Sequence, residues 1–250
     1  MLNAKSFIVR DNHIAGIALF GAKATIQGAD ILKTVPGDKF HFGLLGGGLS
    51  IAGCSDVGAK GLRVHDSKSF GVLVDNSKAR LGEENVENGD VEIHRNVIGL
   101  SVQNVKESFT LVNAQLDQNQ GFGIGLSGGS QGIIICKTGV TRTQSKFLPT
   151  VGAGAKDVGD GLVWADKSSA MIADLTLSGN ALASVLIDGE ASGMLSNVTL
   201  SDGDEALGIV QQHFTTGAQP MFTAGTPLPQ VNAGEVHPVP ARPNPVPKNL

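Results

Sequence analysis

Four ionisable residues crowd one stretch of the chain: Arg142, Lys146, Asp157 and Asp160, interleaved with Lys156 and with glycines at 152, 154 and 159. A cation beside a carboxylate can bind an acidic sugar, or remove a proton next to a uronate carboxylate. The stretch from Lys137 to Asp160 reads as a long loop insertion, and long loops on rigid scaffolds are where function concentrates. A decorated loop with no site is the plainer reading of the same residues. His94-Arg95 beside Glu92 offers an acid/base pair with a carboxylate at hand, but also suits an exposed strand end before a turn at Asn96. His65-Asp66, after Leu62-Arg63-Val64, reads the same way. Glu83-Glu84 with Glu87 and Asp90 supplies oxygens of the kind calcium takes. No calcium-binding nonapeptide accompanies them, so a solvated acidic loop is the favoured reading. Trp164 is a sugar-stacking platform or a core residue, and its place in the pattern below favours the core. Cys54 and Cys136 have no CxxC or Cys/His spacing that would mark a metal site. Nothing here calls for a cofactor.

The elements that must carry these residues announce themselves by repetition. A glycine-led apolar phrase recurs as Gly16-Ile17-Ala18-Leu19, Gly43-Leu44-Leu45-Gly46, Gly71-Val72-Leu73-Val74, Gly99-Leu100-Ser101-Val102, Gly123-Ile124-Gly125-Leu126, Gly161-Leu162-Val163-Trp164, Ser184-Val185-Leu186-Ile187 and Gly208-Ile209-Val210-Gln211. A period near 24 residues is too short for a helical pair and too long for a hairpin. It fits one turn of a β-solenoid with three short strands and three turns per coil. The widest gap, between Gly123 and Gly161, is the loop insertion of about 137–160. The first and third apolar slots face inward, and Gln211 breaks the third, so the core ends near there. Asn12, Asn119, Asn180 and Asp204 each precede a phrase by the same interval; Ser67 matches more weakly and Asn96 comes one place late. Stacked at about 4.8 Å, such residues form a turn ladder. Cys54 and Cys136 fall three coils apart, roughly 14 Å at that spacing, beyond disulfide reach. They read as small buried hydrophobes.

The chain of 250 residues carries a net charge of −4 with both signs interspersed. No basic stripe favours nucleic acid, and no apolar run is long enough to span a membrane. No signal peptide is visible at Met1-Leu2-Asn3-Ala4-Lys5. The pattern is already under way at Phe7, so residues 1–211 are expected to be the C-terminal part of a longer solenoid. Residues 212–235 are expected to pack on the solenoid. Residues 236–250, with Pro238, Pro240, Pro243, Pro245 and Pro247, read as a disordered tail.

The phrase, the period and the asparagine turns resemble those of right-handed parallel β-helix repeat proteins, the pectate-lyase-like superfamily, over residues 7 to about 211. The resemblance implies an all-β, right-handed parallel β-helix of about eight coils. That superfamily holds polysaccharide lyases, polygalacturonases, epimerases, phage tailspikes and surface proteins. In its enzymes, catalytic residues project outward from one sheet. The outward slot of the phrase here is Ala18, Leu45, Leu73, Ser101, Gly125, Val163, Leu186 and Val210, with no ionisable group. Gly-His-Gly, Arg-Ile-Lys and the Arg-x-Pro-x-x-Arg run are all missing, so no catalytic residue carries over.

The sequence therefore predicts a non-enzymatic β-helix module of a secreted or surface protein, extracellular by resemblance. It would act as a spacer or as a glycan- or partner-binding surface, with oligomers possible. The alternative is a carbohydrate-active lyase or epimerase with its site at Arg142, Lys146, Asp157 and Asp160. The nearly apolar outward stripe also demands a cover. The 137–160 insertion, the segment after Gln211 and a neighbouring subunit are the candidates; the C-terminal segment is favoured, with Phe214, Met221 and Phe222 as the expected docking residues.

Overall fold

In the computed structural model the described residues are 1–36, 46–86, 89–150, 154–201, 208–213, 220–223, 230–231 and 239. They are all β, without a helix, and form two ten-stranded sheets between which the chain alternates. All strand pairings are parallel except that of Lys146–Thr150 with Gly154–Trp164. One sheet holds the short glycine-led strands, such as Phe70–Asp75, Ile98–Gln103 and Val185–Asp188. The other holds strands of nine or ten residues, such as Asp56–His65, Phe109–Asp117 and Ser169–Ser178. The result is solenoid-like, with the core between the sheets.

Each coil has two strands where three short ones were expected. The long strand spans two sides of the coil, because a single left-handed residue bends it without ending the pairing. Ser6, Gly28, Gly61, Asn113, Lys137, Asp174 and Asn197 occupy this corner, all with φ between 48° and 65°. The ladder skips that residue and resumes, as Val112↔Cys136 is followed by Ala114↔Thr138. Where residues 82–90 intervene the long strand splits, into Lys78–Leu81 and Val91–His94.

The inward columns follow the pattern with one change of register. Ile17 pairs with Leu49 and Leu19 with Ile51, so the second phrase is Gly48-Leu49-Ser50-Ile51. The phrase expected at Gly43 to Gly46 falls mostly outside the described residues. Three consecutive glycines, Gly46 to Gly48, left the frame ambiguous. Burial settles it, since only this register seals both Leu49 and Ile51. Trp164 stands in the same inward column, fully buried, and donates from Nε1 to the Ser168 carbonyl at 2.9 Å. Gln211 follows Ile187 in that column, buried with Nε2 unpartnered among the described residues, but it does not end the sheet as expected, because Val231 of Gln230–Val231 pairs beyond it.

The glycine of the phrase answers to close approach. A Cβ on Gly71 would sit 2.8 Å from the Gly99 carbonyl oxygen, and one on Gly161 2.6 Å from that of Ser184. Beside these glycines runs the turn ladder. Ser67 N–H donates to Asn96 Oδ1 (2.9 Å), Asn96 N–H to Asn119 Oδ1 (3.1 Å) and Thr143 N–H to Asn180 Oδ1 (3.2 Å). Asn96 is therefore in register with Asn119; the coil simply has one residue fewer before its phrase. Asp204 lies outside the described residues. A second ladder stands at the opposite turn, where Ser77 Oγ accepts from Ser55 N–H and Ser168 Oγ from Ser130 N–H.

The cysteines depart from expectation. Both are free, but Cys54 is exposed and Cys136 half-buried. Cys54 takes a left-handed turn position, φ 64°, and Cys136 lies just before the Lys137 corner, where side chains leave the core.

The outer face of the short-strand sheet is sealed. Leu73 and Leu186 have no exposed surface, and Ser50, Ser101, Val163 and Val210 are buried with them. They pack with Phe70, Ile98 and Phe122, and against Val97, Leu148 and Val239. Leu45 and Phe214 lie outside the described residues. Met221 is exposed and Phe222 packs on the inner core, so neither docks on this face. The strand Pro220–Phe222 pairs with Gly193–Leu195 as a further rung of the long sheet, which directs Phe222 inward.

Candidate functional site

The second limb of the long strands alternates core and surface side chains. In-register parallel pairing then stacks each surface residue on its counterpart one coil away. Arg63-Val64-His65-Asp66 lies beside Glu92-Ile93-His94-Arg95, which lies beside Gln115-Leu116-Asp117-Gln118. Val64, Ile93 and Leu116 point into the core. The surface is left with three columns: Asp30–Arg63–Glu92–Gln115, His65–His94–Asp117–Thr141, and the corner residues Asp66–Arg95–Gln118–Arg142.

Signs alternate along and between the columns, and the groups pair with one another. Arg63 grips Glu92 with two bonds, Nε to Oε2 at 2.8 Å and Nη2 to Oε1 at 3.3 Å. Arg95 grips Asp66 likewise, at 2.9 and 3.0 Å. Arg142 binds Asp117 through Nε (2.8 Å) and Nη2, and Thr141 Oγ1 donates to the same carboxylate at 2.7 Å. His65 sits between two carboxylates, Nδ1 at 2.7 Å from Asp66 and Nε2 at 3.1 Å from Asp30. Its ring stacks on His94, centroids 4.8 Å apart and planes 7° from parallel.

The electrostatics follow. The Arg95 hydrogen bond, partly opposed by burial, holds Asp66 well below the usual carboxylate range. At Asp117 burial is outweighed by hydrogen bonds from Arg142 and Thr141, and the carboxyl is also lowered. Burial, then the charges of Arg95 and His65, push His94 down, which leaves it a neutral ring at pH 7. Arg63 is held charged by Glu92. No group of three or more metal-ligating side chains occurs among the described residues.

Beside these columns, on the second limb next to the left-handed bend at Lys137 and Asp174, lies a shallow cavity of about 300 Å³. It is lined by Gln115, Lys137, Thr138, Thr141, Asp174 and Thr176. The Lys137 ammonium, the Gln115 amide and the Thr176 hydroxyl offer donors. Asp174 accepts from Asn197.

The four residues read from the sequence stand apart. Arg142 belongs to the charged face. Lys146 and Asp157 stand exposed on opposite arms of the antiparallel hairpin formed by Lys146–Thr150 and the start of Gly154–Trp164, and no ion pair joins them among the described residues. Asp160 is fully buried beneath the outer face of the other sheet. Its Oδ1 accepts from Ala183 N–H at 3.0 Å, while Oδ2 has no partner among the described residues. Burial pushes its pKa up to about 7. Glu83 pairs with Lys60 at 2.9 Å, and Asp90 Oδ1 accepts from Gly61 N–H at 2.8 Å. Glu87 lies outside the described residues. The sequence had offered His65-Asp66 and His94-Arg95 singly. Their partnership was written in the tetrads: Arg-Val-His-Asp and Glu-Ile-His-Arg are one phrase with its charges reversed.

Comparison with protein-family models, with curated proteins and with solved structures yielded no match.

Proposed function

We propose that this chain is a non-enzymatic, right-handed parallel β-helix module, of the pectate-lyase-like kind with about eight coils, belonging to a secreted or surface protein. In this reading the charged face of the long-strand sheet binds an extended acidic polysaccharide. The observation that carries it is the in-register pairing of Arg63, Glu92, Asp66, Arg95, Asp117 and Arg142. Catalysis by proton transfer needs an acid and a base aimed at one substrate atom; here the ionised groups are spent on one another across a flat face. A polymer laid along such a face meets similar chemistry at each coil. Lys137, with Gln115 and Thr176 beside it, supplies a cation and hydroxyl-binding groups for a uronate.

The test is retention on immobilised polyuronate at low and moderate salt, with a neutral glucan as control. Binding is expected to weaken on Lys137→Ala and as salt screens it. Equal retention of wild type and Lys137→Ala, or none, would overturn the surface reading. Release of unsaturated uronates or new reducing ends, lost in Lys146→Ala or Asp157→Asn, would instead establish the lyase reading.

A further inference from the structure

The charged face occupies the second limb of the long strands. The first limb, before the left-handed corner, presents a different column to solvent. On Ser169–Ser178 the side chains of Ala170 and Ile172 are buried, and that of Met171, between them, is exposed. In-register pairing places Met194 beside Met171, and Met221 beside Met194 on the strand after. Met221 is also exposed, and Met194, with a methionine on either side, is half-buried. The chain has four methionines, so every one but Met1 stands in this column. Methionine is ordinarily a buried residue that fills irregular gaps in a core. The core columns of the same strands use Ile172, Leu175, Leu177, Leu195 and Val198 instead. Those aliphatic types would serve a merely apolar patch equally well; what methionine adds is a thioether sulfur. The positions flanking it on the same face are small, Ser169 and Ala173 beside Met171, Ser192 and Ser196 beside Met194.

We propose that Met171, Met194 and Met221 form a surface site for Cu(I). Thioether sulfur is a soft, neutral ligand that selects Cu(I), whereas Cu(II) takes nitrogen and oxygen donors. Adjacent strands of the column lie about 4.8 Å apart. Met171 and Met221 therefore need only lean toward Met194 for three sulfurs to meet one ion, and three rotatable bonds give each side chain that freedom. The column runs Thr110, Ile134, Met171, Met194, Met221, with no histidine, cysteine or carboxylate. It offers nothing that zinc or calcium prefers. A thioether has no proton to lose on binding, so occupancy follows the oxidation state of the metal and not pH.

The experiment titrates Cu(I), without oxygen, into the full chain carrying carbon-13 in its methionine methyl groups. The methyl signals report each methionine directly, whatever the thiols of Cys54 and Cys136 take up. Those of Met171, Met194 and Met221 are expected to move together to one saturation point, while that of Met1 stays. Movement of only one of the three, of all four alike, or of none would overturn the proposal, as would equal movement with Zn(II). Met194→Leu keeps the volume and the apolar surface and removes the central sulfur. The affinity read from Met171 and Met221 should then fall by about tenfold or more, because one of three soft ligands is gone. Unchanged affinity would show an apolar patch and no metal site. The midpoint should be the same between about pH 5.5 and 7.5; binding that tightens as pH rises would assign the ion to thiolate or imidazole and overturn the site.

Discussion

Asp160 is the residue whose environment departs furthest from its type. It follows the hairpin directly, in register with Phe122 of the outer cluster, and is buried in that layer, where only one of its oxygens finds a donor among the described residues. Its folded-state pKa, pushed up to about 7 by burial, exceeds the unfolded value of about 3.9. The stability it contributes is fully present below about pH 4. It is lost as pH rises toward 7 and is constant above, since the unfolded chain then binds fewer protons. Asp66 and Asp117 run the other way: their lowered values lend stability above the unfolded carboxylate range that is lost in acid. Asp160→Asn keeps the acceptor for Ala183 and removes the charge. Denaturant midpoints measured from pH 4 to 8 should fall for the wild type and stay nearly level for the variant, which becomes the more stable chain at pH 8. Parallel profiles would show that Asp160 is not buried as described.

At the scale of the coil, two kinds of position hold the strands in register. One is the buried ladder of Asn96, Asn119 and Asn180; the other is the glycine that lets neighbouring backbones close up. Gly161 shows the second most plainly. A methyl there meets the Ser184 carbonyl at 2.6 Å and the Leu177 and Asn180 side chains just beyond, and backbone cannot yield as a flexible side chain can. Gly161→Ala should cost about 1–3 kcal/mol in chemical denaturation. Gly58→Ala, where nothing lies within 4 Å, should shift stability by less than about 0.5 kcal/mol. Equal effects at the two sites would refute the close-approach account. These glycines were legible from repetition alone, and so were the inward columns they introduce. The corner residues were not, because Ser6, Lys137 and Asp174 share no chemistry beyond tolerance of a left-handed bend. That is why one bent strand was read as two. The serine ladder of Ser55, Ser77, Ser130 and Ser168 escaped for a related reason: the alanine at 22 and the valine at 105 interrupt its spacing.

At the scale of the whole molecule, the sequence displayed the scaffold and concealed the surface. Apolar periodicity is set by the core and repeats in every coil, so it can be read without knowing which residues touch. The charged face depends on which residue of one coil stands beside which of the next, over 25 to 35 positions, and it emerges only once the register is fixed. The same architecture governs how the molecule opens. Each coil touches only its neighbours, so stability passes along the axis and openings begin where a strand has a neighbour on one side only. Leu2–Arg10 is such a strand: among the described residues it pairs with Lys23–Leu32 alone, and its inward Phe7 and Val9 are only partly buried. Phe109–Asp117 lies between partners on both sides, with Phe109, Leu111, Ala114 and Leu116 fully buried. Native-state hydrogen exchange should therefore show a gradient. Amides of Leu2–Arg10 should exchange through low-energy fraying, insensitive to small amounts of denaturant, and those of Phe109–Asp117 only through the global opening. The ion-pair columns from Asp30 to Arg142 add little to this ordering, since exposed pairs contribute about 0–1 kcal/mol each; raising salt should leave the gradient in place. Uniform protection from Leu2 to Thr141 would mean that the described coils open as one unit, and nearest-neighbour stacking would not account for the stability of this chain.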